Sequence, residues 1–174
     1  MHKLDNENSA EHWKFINVKD KVVLDLGCGR WNKIERVEDS WLTTPEHFIF
    51  NGATKVIGVD IDHEEISWFK NKYQNDSRYE FILKQIYSGA DIKYLYDLYK
   101  PNCVKLDIET AEQFLFQLSE SDIRSVEEYY IETHGKDIYQ YFITNLPSYG
   151  YLIREQIDLI HTNGYCKVIF ANRL

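Results

Sequence analysis

The chain has 174 residues, enough for one hydrophobic core and short for two domains. Acids outnumber bases 28 to 20, and the net charge of −8 argues against a broad phosphate-binding surface and hence against a nucleic-acid partner. No apolar run approaches the roughly twenty residues of a membrane span, and Cys28, Cys103 and Cys166 form no CxxC pair, so neither a zinc knuckle nor a disulfide framework is implied and a reduced, cytoplasmic setting fits.

Residues 1–20 are polar and read as an arm or short helix around Trp13, Phe15 and Ile16, ahead of a single domain over 21–174. A first strand is predicted at 21–26. Residues 31–43, with Trp31 and Trp41, read as a loop that is long for a strand-to-helix connection. Thr44-Pro45-Glu46 is a helix start, and Gly52 ends that helix after Asn51. A strand at 55–60 precedes a helix over 62–75, with Ile66, Phe69 and Tyr73 on one face. A strand at 79–85, a helix over 88–99 closed by Pro101, and a strand at 103–107 follow. A short helix over 111–119, a strand at 126–133 and a helix over 136–146 come next. Strands at 151–160 and 165–172 join through Thr162-Asn163-Gly164, a strong hairpin signal. Strands alternating with helices require parallel pairing. The expected fold is therefore α/β: a Rossmann-like, seven-stranded sheet, mostly parallel, with a C-terminal antiparallel hairpin and helices on both faces. Thirteen tyrosines are a high share that no chemistry in the sequence explains.

Two stretches carry the chemistry. In the first, Val22 to Asp25 is a buried strand that runs into Gly27, Cys28 and Gly29, and a second strand ends in Asp60 and Ile61. A strand, a glycine turn and an acid-tipped second strand make a nucleotide-binding βαβ unit. A dinucleotide fold needs a third glycine, so that pyrophosphate can sit on a helix N-terminus. Here Arg30, Trp31 and Asn32 follow instead, and Asp25 stands two residues before the first glycine. An acid there repels phosphate and suits an ammonium. The pattern resembles the first motif of the class I S-adenosylmethionine-dependent methyltransferases. The resemblance implies S-adenosylmethionine as cofactor, with Asp25, Gly27, Cys28 and Gly29 along its amino-acid tail and Asp60 on the ribose hydroxyls. Ile61 offers adenine an apolar face, and Gln85 stands after the third strand where that family usually has an acid.

The second stretch, Lys105-Leu-Asp107-Ile-Glu109-Thr110-Ala-Glu112, joins a strand to a helix. Acids near a helix N-terminus are favoured by its dipole, which accounts for Glu112 but not for Asp107. The run resembles the Lys-x-Asp-x-Glu-Gly-x-Glu signature of the FkbM-like methyltransferases, with Thr110 in place of glycine; Glu132-Thr-His134 extends the resemblance. It implies O-methylation of a small hydroxylated acceptor, such as a sugar or secondary metabolite. Asp107, Glu109 and His134 are the candidate catalytic residues, because a hydroxyl needs a base and histidine titrates near neutrality. Glu132 and His134 share one side of their strand. With Asp107 and Glu109 they also make a donor set for a divalent ion, which the sequence ranks behind a metal-free site. Two alternatives remain: a non-catalytic module that keeps the cofactor fold, and, ranked lower, a nucleic-acid methyltransferase using Arg30, Lys33 and Arg36. The sequence does not fix the oligomeric state.

Overall fold

A computed structural model describes residues 16–29, 43–161 and 164–174. Seven strands, β1 (Val22–Leu26), β2 (Lys55–Asp60), β3 (Tyr79–Leu83), β4 (Cys103–Leu106), β5 (Glu128–His134), β6 (Tyr151–His161) and β7 (Gly164–Arg173), form one sheet in the order β3-β2-β1-β4-β5-β7-β6. The first five pair in parallel, and β7 runs antiparallel between β5 and β6. This is the predicted sheet. The helices are α1 (Thr44–Phe50), α2 (His63–Lys72), α3 (Gly89–Tyr99), α4 (Glu120–Ile123) and α5 (Lys136–Asn145), with 3₁₀ turns at Ala111–Gln117 and Leu146–Tyr149.

Parallel strands covered on both faces read as near-continuous apolar runs, and β1 and β2 do, apart from Asp25 and the ends of β2. Alternation then divides their residues between two cores. Leu24, Leu26, Ile57, Val104, Leu106 and Ile131 pack with α3 and α5 on one face. Val23, Val56, Cys103, Tyr130 and Phe170 pack with Phe48 of α1 on the other, together with Ile16 and Val18. Asp62, expected inside α2, caps it instead: its Oδ1 accepts from Glu64 and Glu65 backbone N–H at 2.9 and 3.2 Å. Thr43 is the N-cap of α1, one residue earlier than the sequence suggests, and its N–H donates to Glu46 Oε2 at 2.6 Å. Three tyrosines find their use in the core. The hydroxyls of Tyr129 and Tyr151 donate to the Ile123 carbonyl at 3.1 and 2.7 Å, and Tyr151 also reaches the Val126 carbonyl. They add hydroxyl donors to the Ile123 carbonyl at the end of α4, which also accepts from Val126 N–H at 3.4 Å, and Tyr96 joins them through Tyr129.

Strand order reverses between β1 and β4, and open α/β sheets bind ligands at the carboxyl edge of such a switch point. The residues singled out in the sequence collect there.

Candidate active site

The glycine turn is tied down on every side. Gly27 and Cys28 N–H donate to the Val59 carbonyl at 2.8 and 3.2 Å, and Gly29 N–H donates to Asp60 Oδ2 at 2.7 Å. The N–H groups of Gly27, Cys28 and Gly29 are all engaged, and a carboxylate sits against them. A pyrophosphate-binding turn needs the reverse. Gly27 has φ +82, and a Cβ on it would stand 1.7 Å from the Asp107 carbonyl oxygen. The turn is therefore stacked directly on the end of β4. The Cys28 side chain is directed away from the turn into a small core with Ile66, Phe69 and Phe81, so only its backbone belongs to the site.

Asp60 Oδ1 accepts from Asp62 N–H at 2.8 Å. Both of its oxygens are thus fixed by backbone donors, and each keeps lone pairs for further donors. Ile61 beside it is 60 % exposed, which is unusual for an isoleucine at the end of a buried strand. Lys84 N–H donates to the Asp60 carbonyl and brings the end of β3 alongside. Gln85 there is exposed, and its Oε1 accepts from the Tyr87 hydroxyl at 2.6 Å.

Asp25 and Lys105 are direct partners across the β1–β4 ladder, and both are buried. The Lys105 ammonium donates to the Gly27 carbonyl at 2.9 Å and to Asp107 Oδ2 at 3.0 Å, and lies 3.4 Å from Asp25 Oδ1. One ammonium serves two carboxylates. Neither Asp25 oxygen has a hydrogen bond, and burial raises the Asp25 pKa from 3.8 to about 6 despite the nearby Lys105. Sequence reasoning gave Lys105 no role. Its signal was a lysine inside an otherwise apolar strand, since fully buried lysines are almost always paired.

His134, at the end of β5, is the second centre. Its Nδ1 lies 2.7 Å from Glu112 Oε1, and Glu112 is completely buried. That contact, not a helix dipole, accounts for Glu112, which sits in a 3₁₀ turn where an α-helix was expected. His134 Nε2 faces Glu132 Oε1 at 3.6 Å, Glu109 Oε2 at 3.7 Å and Asp107 Oδ1 at 3.8 Å. The Cys166 thiol donates to Glu132 Oε1 at 3.1 Å. Burial alone lowers the His134 pKa, but the Glu112 hydrogen bond and the nearby carboxylates of Glu112, Glu132 and Asp107 outweigh it and push it up to about 11. The expectation of an imidazole titrating near neutrality fails for that reason: four carboxylates surround the ring. Trp31, Trp41, Arg30, Lys33 and Arg36 lie outside the described residues.

Thr110, at the glycine position of the resembled signature, keeps the backbone that glycine would adopt, with φ +77 after Glu109 at φ +48. A β-branched residue in the left-handed region costs on the order of 1–2 kcal/mol. Thr110→Gly removes that strain but adds unfolded-state entropy. A net gain of about 0.5–1 kcal/mol in urea unfolding is expected; a loss would mean that the threonine side chain holds the segment.

No family model and no curated protein matches this sequence. Among solved structures, the chain is similar to an rRNA methylase from Streptococcus thermophilus, with TM-score 0.63 and 13% identity over 97% of this chain and 98% of that one. It is also similar to TrmK of M. capricolum in complex with S-adenosyl-homocysteine, with TM-score 0.61 and 15% identity over 99% and 70% of the two chains. Fibrillarin of Aeropyrum pernix, with natively bound S-adenosyl-L-methionine, gives 0.61 and 15% over 90% and 68%. At such identities the likeness is one of fold, and the fold is the Rossmann-like fold of the S-adenosylmethionine-dependent methyltransferases.

Proposed function

We propose that this chain is an S-adenosylmethionine-dependent methyltransferase of the FkbM-like kind, acting on oxygen of a small hydroxylated acceptor. The observation that carries the cofactor reading is the Asp60 carboxylate, locked by two backbone N–H groups beside bare glycine backbone and an exposed Ile61. A fixed acceptor pair next to an apolar surface suits a ribose diol and an adenine. The residues fit the rest of the cofactor too. Asp25 lacks hydrogen bonds and shares its one cation, so the ammonium of an amino-acid tail supplies what the site is short of. When bound, S-adenosylmethionine supplies an electrophilic methyl group. The protein's part is then to position the acceptor and take its proton. His134 already carries a proton at neutral pH, so Asp107 Oδ1 and Glu109 Oε2 are the groups left to accept one.

Isothermal titration with S-adenosylmethionine tests the cofactor. Asp60→Ala removes the acceptor for both ribose hydroxyls, each hydrogen bond to a charged group contributing about 1.5–3 kcal/mol. A drop in affinity of about a hundredfold or more follows; a Kd within a few-fold of wild type would refute the ribose assignment.

A second reading has its own support. Several neighbours, such as the rRNA methylase that matches over nearly the whole of both chains, carry RNA in their names. The acidic character of the edge around His134 favours the small acceptor, because a phosphate backbone seeks lysine and arginine. Methyl transfer from labelled cofactor to a pool of hydroxylated metabolites, run beside bulk RNA, separates the two. Binding without formation of S-adenosylhomocysteine in either would mark a non-catalytic module.

A further inference from the structure

The β5–β7 ladder gathers three metal-ligating side chains of different chemistry on one face of the sheet. His134 and Cys166 are direct partners in that ladder. Direct partners of an antiparallel pair share a face, with Cβ atoms about 4.5–5.5 Å apart. Glu132, two residues before His134, lies on the same face. Further along, that face continues as Tyr130, Val168 and Phe170, which are core. The three donors therefore stand where an apolar surface reaches the carboxyl end of β5, and Glu132 and Cys166 are buried with it.

We propose that Glu132, His134 and Cys166 form a three-ligand site for zinc(II), with the fourth tetrahedral position open. Carboxylate, imidazole and thiolate are the usual donors to zinc, at about 2.0–2.3 Å from the ion, which sets them about 3.4–3.6 Å apart at tetrahedral angles. The Cys166 sulfur stands 3.1 Å from Glu132 Oε1, and that oxygen stands 3.6 Å from His134 Nε2. One donor atom of each residue lies within 4.8 Å of those of the other two. Side-chain movements on the order of an ångström bring all three onto one ion. The Cys166 thiol proton bridges sulfur and carboxylate, and zinc takes its place. That proton and the one on Nε2 leave to solvent, so the ion meets a thiolate, a carboxylate and a neutral imidazole. The sulfur also decides among metals, because oxygen and nitrogen alone suit manganese or magnesium, whereas a thiolate favours zinc.

His134 is held as a metal-bound histidine is held. Such rings almost always donate their other N–H to a carboxylate or carbonyl, which fixes their tautomer and direction. Completely buried Glu112 takes Nδ1 at 2.7 Å and leaves Nε2 on the side of Glu132. Binding of the ion is independent of the methyltransferase reading above; its use rests on that reading. Asp107 Oδ1, one of the groups left to accept a proton, lies 3.8 Å from the same Nε2. An acceptor hydroxyl in the open position is thus held beside a base, and the ion lowers its pKa.

The test needs neither cofactor nor acceptor. Purified protein, stripped with a chelator, is titrated with zinc(II), and bound ion is counted by atomic emission. Cobalt(II) then replaces zinc, because its spectrum reports the ligands. One saturable zinc per chain is expected, and cobalt should give the strong visible absorption of a tetrahedral site together with a near-ultraviolet thiolate charge-transfer band. Cys166→Ser should abolish that band, and Cys166→Ser, Glu132→Gln and His134→Gln should each weaken zinc by about tenfold or more. Glu112→Gln, which reaches the ion only through the ring, should keep the band and cost roughly ten- to a hundredfold in affinity. Absence of saturable binding up to millimolar zinc would overturn the site. So would saturable binding without the charge-transfer band, or a band that survives Cys166→Ser. The first two outcomes are read on wild type, so a variant that fails to fold does not shield the proposal. Failure of zinc to bind would leave S-adenosylmethionine binding and the Asp60 test untouched. Loss of cofactor binding with zinc binding intact would instead remove the methyltransferase reading and leave the metal site.

Discussion

Gly27→Ala is expected to destabilise the protein by more than about 4 kcal/mol, a loss reserved for changes with a named steric cause. Two causes act together. The residue sits at φ +82, where alanine is strained, and the added methyl would stand 1.7 Å from the Asp107 carbonyl oxygen and 2.7 Å from its carbonyl carbon. Both are backbone atoms at the end of β4, so no side chain can turn aside. Relief requires the turn to lift off β4. That breaks the Gly27 and Cys28 hydrogen bonds to Val59 and takes the Gly27 carbonyl away from Lys105. Gly29→Ala is the control. Its methyl meets the Asp60 carboxylate at 2.7 Å, the far end of a side chain that can rotate. It should fold with a much smaller loss and bind S-adenosylmethionine poorly, because Asp60 is displaced. Urea unfolding of the two variants side by side measures the contrast. A cost of about 1 kcal/mol or less for Gly27→Ala would mean that the turn does not rest on β4 as described.

The contrast between those glycines shows what the sequence could and could not tell. That Gly27 and Gly29 form a turn follows from their place after four residues of buried strand. That Asp107 lies under one and Asp60 against the other does not, because the contacts span long stretches of chain and depend on the β1–β4 and β1–β2 registers. The sheet itself was legible: β1 apart from Asp25, and β2 between Lys55 and Asp60, are apolar runs, and Asn163-Gly164 announces the hairpin that carries β6 and β7. The segment after β4 was not. Residues 111–117 have a helical pattern, yet the left-handed Thr110 and the tie of Glu112 to His134 wind them as a 3₁₀ turn. The four-residue α4 is too short to leave a periodicity. Asp107, Glu109 and His134 were nominated because they stand at strand ends. Glu112 and Lys105 were assigned no chemistry, although Glu112 holds His134 and Lys105 pairs with Asp25, because a contact across 22 residues, or one across the β1–β4 ladder, is invisible until the strands are in register.

Lys105→Met should be the costliest change at a polar position, at roughly 3–5 kcal/mol, the usual result of stranding buried charge by removing its partner. Methionine fills nearly the same volume, so packing contributes little. What is lost is the cation shared by Asp25 and Asp107 and the donor to the Gly27 carbonyl. The pH dependence separates this cause from a simple packing defect. Asp25 has a folded pKa near 6 against 3.8 when free. The folded state therefore binds the proton more tightly, and stability falls as pH rises through that window. In wild type this penalty is on the order of 3 kcal/mol once Asp25 is fully ionised. Without Lys105 nothing nearby offsets burial, so the folded pKa climbs further and the penalty keeps growing above pH 6. Melting curves should place Lys105→Met closer to wild type at pH 5 than at pH 7.5, and adding Asp25→Asn should recover part of the difference at the higher pH. A gap between variant and wild type that stays constant with pH would show that Lys105 supports the site through its shape and not through its charge.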